Sequence, residues 1–315
     1  MIKKKKIYIS GHNGMVGSSI CRALKKKGYQ NLIVKSSNEL DLRNQQSVTD
    51  FLKNEKPDVV INAAARVGGI LANSDFPYKF LMENMQIQNN LIDGALSVNV
   101  EKFIFLGSSC IYPKFAPQPL KEKYLLTDSL ESTNEWYAIA KISGVKACQA
   151  IRKQFNKDYV SLMPTNLYGS HDNFDLISSH VLPAMIRKFH EAKINNTDVT
   201  LWGTGTPMRE FLFVDDLALA VIFALENHLP EYLYNIGTGI DLKIKDLALI
   251  IQKITGHKGE IIWDKSKPDG TPRKLMDTSK LNNLGWKHKI NLEEGITKTY
   301  RWFLENINRV KELKL

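Results

Sequence analysis

The chain has 315 residues, a formal net charge of +10 and three cysteines, Cys21, Cys110 and Cys148. That length buries an ample core without disulfide staples, and three scattered thiols make no disulfide framework, so a reducing, cytoplasmic setting is expected. The basic start MIKKKKIYISG runs into a strand-length apolar stretch with no signal-peptide core, and no apolar span reaches about 18 residues, so no membrane association is expected. The lysines at 3–6 and the tail RVKELKL read as solvated surface, and no motif interleaves aromatics with cations, so a nucleic-acid partner is not expected.

Strand-like and helix-like segments alternate through the first 165 residues. KIYIS at 6–10 is β-rich, and the segment at 16–28 has helical spacing closed by a glycine. NLIVK (31–35) predicts a second strand and 47–56 a second helix. DVVINAAA (58–65), EKFIFLG (101–107) and DYVSLMPTNLYG (158–169) predict three more strands, separated by helices at about 77–98 and 134–155. Such alternation implies a Rossmann-type doubly wound parallel sheet of the α/β class, with ligands at the strand carboxyl ends. After Gly169 the pattern breaks into loops and short strand–helix units, which predicts a smaller α/β substrate-binding cap. The expected division is 1–169 plus about 210–240 for the cofactor, and about 170–209 with 241–315 for the substrate.

Between the first strand and helix, GHNGMVG places Gly11, Gly14 and Gly17 three residues apart. In a strand–turn–helix setting these glycines allow a tight turn, close approach of a pyrophosphate and close helix packing, the pattern of a dinucleotide site. His12, Asn13, Met15 and Val16 complete the loop. An acid that would hold ribose hydroxyls is missing straight after the second strand, where Lys35, Ser36 and Ser37 offer positive charge and hydroxyls suited to a 2′-phosphate. NADP(H) is therefore expected, with Asp41 and Leu42 on the adenine side. Further contacts are expected from the later strand ends: Ala63, Ala64, Leu106, Gly107, Ser108, Ser109, Pro164, Asn166 and Leu167.

In YAIAK, Tyr137 and Lys141 stand four apart, on one face of a helix. An adjacent ammonium is expected to lower the phenol pKa, and Ser108 can hydrogen-bond the same carbonyl oxygen, so the three residues can polarise and protonate a ketone as hydride arrives. No HExxH or CxxC spacing occurs, and no metal site is expected.

GHNGMVG, NAAA, SSCIYP, YAIAK and PTNLYG resemble the extended short-chain dehydrogenase/reductases that act on nucleotide sugars. The blocks HDNF, SHVLPA, WGTGTPMREFLFVDD, IGTG and KPDGTPRKLMD are similar to the GDP-L-fucose synthase branch of that family. The resemblance implies an NADP-dependent 3,5-epimerase–4-reductase acting on a GDP-linked 4-keto sugar, and a homodimer joined through helices 77–98 and 134–155. It also implies that Cys110 and His180 carry protons to and from C3 and C5, with His180 also near the cofactor. The implied substrate contacts are Ser108, Ser109, Cys110, Asn166, Arg187, Lys188, Trp202, Arg209, Asp269 and Lys274. Cys21 and Cys148, at core-like helical spacing, read as structural. The chain departs from the branch where arginines are replaced by Asn13, Ser37 and Lys188. Two other readings stay open: a C4-reductase without epimerase activity on a related GDP-4-keto sugar such as a heptose, and a catalytically idle NADP-binding regulatory protein.

Overall fold

The computed structural model describes residues 2–176, 178–267 and 269–310, so the basic tail lies, from 311 on, outside the described residues. The chain opens with β1 (Ile7–Ser10), α1 (Met15–Lys26), β2 (Leu32–Ile33), α2 (Gln45–Glu55) and β3 (Val59–Asn62). It continues through α3 (Ile70–Asp75), α4 (Pro77–Ser97), β4 (Lys102–Leu106), α5 (Glu135–Phe155), β5 (Asp158–Pro164) and β6 (Asn166–Tyr168). Next come α6 (Val181–Asn195), β7 (Val199–Trp202), β8 (Met208–Phe213), α7 (Val214–Glu226) and β9 (Leu233–Ile236). The last part holds β10 (Asp241–Lys243), α8 (Ile244–Thr255), β11 (Ile261–Asp264), β12 (Arg273–Lys274), α9 (Ser279–Asn283), α10 (Leu292–Glu305) and α11 (Ile307–Val310).

Six strands form one parallel sheet in the order β2-β1-β3-β4-β5-β9. Its strands are apolar on both faces because both are covered, as a parallel sheet requires. Ile7, Ile9, Ile104 and Leu106 pack with Ile20, Leu24, Leu217 and Val221 of α1 and α7 on one side. Tyr8, Phe103 and Phe105 pack with Val48, Leu52, Leu91, Ile92 and Val145 of α2, α4 and α5 on the other. Cys148 is fully buried in this second layer, and Cys21 packs against the first. Local signals set the helix ends: Asn44 caps α2 by accepting the Ser47 N–H, and Asn156 ends α5 in a left-handed conformation.

Three expected strands differ in extent, the third (58–65) shortening to Val59–Asn62. The second shrinks to Leu32–Ile33, an edge strand with a single neighbour, β1. The run 158–169 is two strands, not one. At Thr165 the backbone N–H still donates to Ile236 O (2.9 Å), while Oγ1 reaches Glu210 O (3.3 Å). Beyond it β6 leaves the large sheet and pairs with β8, Asn166 opposite Phe211. β8 also pairs with β10 and β12, and β7 with β11. Over these small sheets α6, α8 and α10 close a third core through Met185, Ile186, Phe189, Leu247, Ile251 and Phe303. No helix among the described residues is long and apolar enough to cross a membrane.

Candidate active site

Because β1, β3, β4 and β5 are parallel, their carboxyl ends open at one edge. Gly11 there has φ +71° and lies against Ala63 and Ala64, where a Cβ would come within 2.8 Å of backbone. A Cβ on Gly17 would stand 2.2 Å from Gly11 O, so α1 can sit this close to the turn only with glycine there. Gly14 differs: its added Cβ would meet only Gly11 O, at 3.5 Å, so this side of the loop is open. Gly14 is also the N-cap of α1 without a side-chain cap, which leaves the first amides, from Met15 and Val16, available to an anion. His12 Nδ1 is buried without a hydrogen-bond partner, and Asn13 is exposed beside it. This cradle fits a dinucleotide pyrophosphate. Ala64 N–H is tied to Ser10 Oγ and Asn62 Oδ1, which fixes the β3 wall.

At the end of β2 the arrangement is self-contained. Glu39 Oε2 accepts from Ser36 N–H (2.8 Å) and Ser36 Oγ (2.7 Å), and Oε1 lies 3.5 Å from Lys35 Nζ. Ser37 is exposed. Asp41 is gripped by Arg43 through Nε (2.9 Å) and Nη2 (2.9 Å), while Leu42 packs against the second core layer.

The reductive residues come together. Ser108 follows β4, its Oγ accepts the Cys110 N–H (3.3 Å), and its hydroxyl stands near enough to the Tyr137 phenol to favour the ionised form. Burial raises the Tyr137 phenol above its ordinary value, the Cys110 sulfur adds to this, and the Ser108 hydroxyl opposes it. The expectation of a lowered phenol is therefore reversed. Lys141 Nζ donates to Leu106 O (2.9 Å), 5.8 Å from the Tyr137 ring centroid, and burial pushes its own pKa down to about 8. A protonated phenol beside a serine hydroxyl is the form that can hand a proton to a carbonyl oxygen. Gly107 N–H is bonded to Leu162 O, and Ser109 is buried in the turn behind Ser108.

Cys110 Sγ faces two donors: Asn134 Nδ2 at 3.4 Å and Lys274 Nζ at 3.9 Å. Lys274 arrives because β12 pairs with β8 in a register that sets it directly beside Arg209. His180 is the N-cap residue of α6. It is exposed, and partial desolvation shifts its imidazole pKa below the usual value. A run of packed groups connects it to the triad. The Tyr137 ring meets Phe80 edge-on at 6.4 Å, Phe80 abuts Gly68, and Gly69 N–H donates to Ser178 O (3.0 Å), two residues before His180.

The outer wall is cationic. Arg209 is anchored through Nη1 to Met208 O (2.8 Å). Arg187 is held by Glu191 (2.8 Å) and Phe174 O (3.2 Å), and Lys188 by Thr200 O (3.0 Å). Trp202 is half exposed, with Lys188 and Lys267 ammonium groups 5.9 and 5.7 Å from its ring centroid. Asp269 accepts from Thr204 N–H (2.9 Å) and Oγ1 (2.7 Å). Asn166 Nδ2 donates to Glu210 O (2.8 Å), and Pro164 and Leu167 lie on either side of the break between β5 and β6.

Sequence reasoning missed Asn134, Glu39 and Glu131. Asn134 holds the N-cap position of α5, and its Oδ1 is buried without a partner; its readable signal was an asparagine just ahead of a helix. Glu131 pairs with Lys114 (3.0 Å) and accepts from Thr271 (3.2 Å), which latches the 269–274 segment to the loop after β4; nothing local marks that role. Among the described residues no group of acidic, histidine and cysteine side chains could hold a metal ion.

The family model described as "NAD dependent epimerase/dehydratase family" matches residues 7–237. GDP-L-fucose synthase 1 of Arabidopsis thaliana is 54% identical over 306 residues, covering 97% of this chain and 95% of that protein. GDP-L-fucose synthase of Escherichia coli is 51% identical over 320 residues, covering 98% of this chain and all of that protein (100%). A GDP-mannoheptose C4 reductase from Campylobacter jejuni, solved with NADP bound, superposes with a TM-score of 0.89 at 40% identity, covering 96% of this chain and 99% of that one. The chain belongs to the NAD dependent epimerase/dehydratase family, in the branch that holds the GDP-L-fucose synthases.

Proposed function

We propose that the chain converts a GDP-4-keto-6-deoxy sugar by epimerisation at C3 and C5 followed by reduction at C4, a GDP-L-fucose synthase activity. The observation that carries this reading is Cys110, set between Asn134 and Lys274 in the same pocket as the Ser108–Tyr137 pair. Reduction alone has no use for a thiol. A ketone at C4 acidifies the protons on C3 and C5, because the resulting carbanion delocalises onto the carbonyl oxygen. Ser108 and Tyr137, aimed at that oxygen, stabilise the enolate as well as the later alkoxide. Cys110 and neutral His180 are the two proton carriers, one taking a proton and the other returning one to the opposite face. Tyr137 then donates its proton to O4, while Lys141 holds the nicotinamide ribose. Bound NADPH supplies the hydride to C4. Arg209 and Lys274, side by side on β8 and β12, suit the diphosphate of the sugar nucleotide.

A second reading, C4 reduction without epimerisation on a related GDP-4-keto sugar such as a heptose, draws support from Lys188 in place of a forked arginine and from the likeness to the heptose reductase. Incubation with GDP-4-keto-6-deoxymannose in D2O without NADPH separates the two. Deuterium entry at C3 and C5, lost in Cys110→Ser, is expected. Its complete absence alongside normal NADPH oxidation leaves only the reductase. Absence of NADPH oxidation with any GDP-4-keto sugar would favour an idle regulatory protein.

The division into a cofactor unit (1–169 with about 210–240) and a substrate unit is supported by β9 rejoining the large sheet, although β8 stays in the smaller one. A homodimer through α4 and α5 is supported by exposed Tyr78, Trp136 and Ile139 on those helices. A cytoplasmic enzyme is the reading that three free thiols support.

A further inference from the structure

The adenosine ribose of a dinucleotide lies at the end of the second strand, where a carboxylate reads a 2′-hydroxyl and a nearby cation reads a 2′-phosphate. Here both elements are present, and they are bonded to each other. Lys35 Nζ, Ser36 N–H and Ser36 Oγ are the kinds of donor that hold a phosphate, and all three face the Glu39 carboxylate, at 3.5, 2.8 and 2.7 Å. The Ser36 hydroxyl first, and its N–H second, hold the Glu39 pKa down to about 2, so the group is an anion at neutral pH. The other cation of this segment, Arg43, is committed to Asp41 at 2.9 Å, with Glu83 at 3.9 Å. Asn13 and Ser37 add no charge. Two cations, Lys35 and Arg43, therefore face two carboxylates, Glu39 and Asp41, between residues 35 and 43.

We propose that Glu39 is a specificity-determining residue that lets this chain use NADH alongside NADPH. As it stands, the carboxylate can accept a ribose 2′-hydroxyl of NADH. A 2′-phosphate, a second anion, can reach Lys35 and Ser36 only when Glu39 gives them up. Each hydrogen bond that the phosphate makes with the Ser36 donors then replaces one that the carboxylate already made, and Lys35 already faces a competing anion, which compresses the preference between the two nucleotides. The inference rests on the reductase reading for the cofactor's identity, yet its test needs no sugar.

The full-length protein is titrated with NADPH and with NADH at low salt, following nicotinamide fluorescence, as wild type, Glu39→Gln and Ser37→Arg. The wild-type Kd ratio, NADH over NADPH, is expected below about 30-fold. Glu39→Gln frees Lys35 and Ser36 and removes the ribose acceptor, so it raises that ratio at least about fivefold. Ser37→Arg adds a cation without disturbing Glu39 and raises it in the same direction. A wild-type ratio above about 30, or a smaller rise in Glu39→Gln, overturns the proposal. Should Glu39→Gln melt far below wild type, Ser37→Arg decides: an unchanged ratio there overturns the proposal too. If neither nucleotide binds wild type, the cofactor assignment itself falls; if both bind but no keto sugar is turned over, only the catalytic reading does.

Discussion

Lys141→Met should unmask the cost of burying an ammonium beneath the active site. Lys141 is 4% exposed, with Nζ on the Leu106 carbonyl. Burial lowers its pKa from 10.5 to about 8. At ~1.4 kcal/mol per unit, the difference amounts to about 3 kcal/mol. The sign follows from the folded value being the lower one. Between pH 8 and 10.5 the unfolded chain holds a proton that the folded chain has released, so wild-type stability rises with pH across that window. Below it both states are protonated and the full penalty applies; above it neither is. Methionine carries no such titration. Urea unfolding of the nucleotide-free proteins at about pH 7.5 and about pH 10 should therefore show wild type gaining up to about 3 kcal/mol relative to Lys141→Met. Buried tyrosines titrate in both proteins and cancel in the difference. A difference that stays flat with pH would refute the claim that the ammonium is strained. The same variant should lose NADPH oxidation, since in the proposed mechanism the ammonium that destabilises the fold also holds the nicotinamide ribose.

The glycine loop offers a matched pair of substitutions. Gly17→Ala drives a methyl to 2.2 Å from Gly11 O and should cost about 1–3 kcal/mol, read as a lower melting temperature. Gly14→Ala, with its nearest neighbour at 3.5 Å, should leave melting unchanged while weakening NADPH in a fluorescence titration. Gly69→Ala places a methyl 2.8 Å from Ser179 O and pushes on the segment that carries His180. Deuterium entry at C3 and C5 should slow about tenfold or more, with NADPH affinity intact; equal losses in both would point to general damage.

How far the sequence could be read depended on how local the cause was. Ile7, Tyr8 and Ile9 sit within one short apolar run, and the helical spacing after Gly14 needs no distant partner, so the parallel sheet was legible. The break at Thr165 was not, because its cause is the Glu210 carbonyl, 45 residues on. Tyr137 and Lys141 were found by spacing, but spacing could not show that Leu106 O takes the ammonium while burial governs the phenol. The same limit applies at Cys110. Its two donors lie 24 and 164 residues away, and only the pairing of β12 with β8 explains why Lys274 arrives.

The position of β9 has a consequence for how the protein is made. The sheet holds five strands once residue 164 has been synthesised, but the β5 edge is paired only when Leu233–Ile236 arrive. A nascent chain halted anywhere between those points presents an unpaired, largely apolar strand edge, the kind that templates association between chains. Residues 165–232, which carry β6, α6, β7, β8 and α7, are thus translated while the large sheet is still open along one side. Truncation before 236 should yield an aggregating species rather than a smaller nucleotide-binding protein.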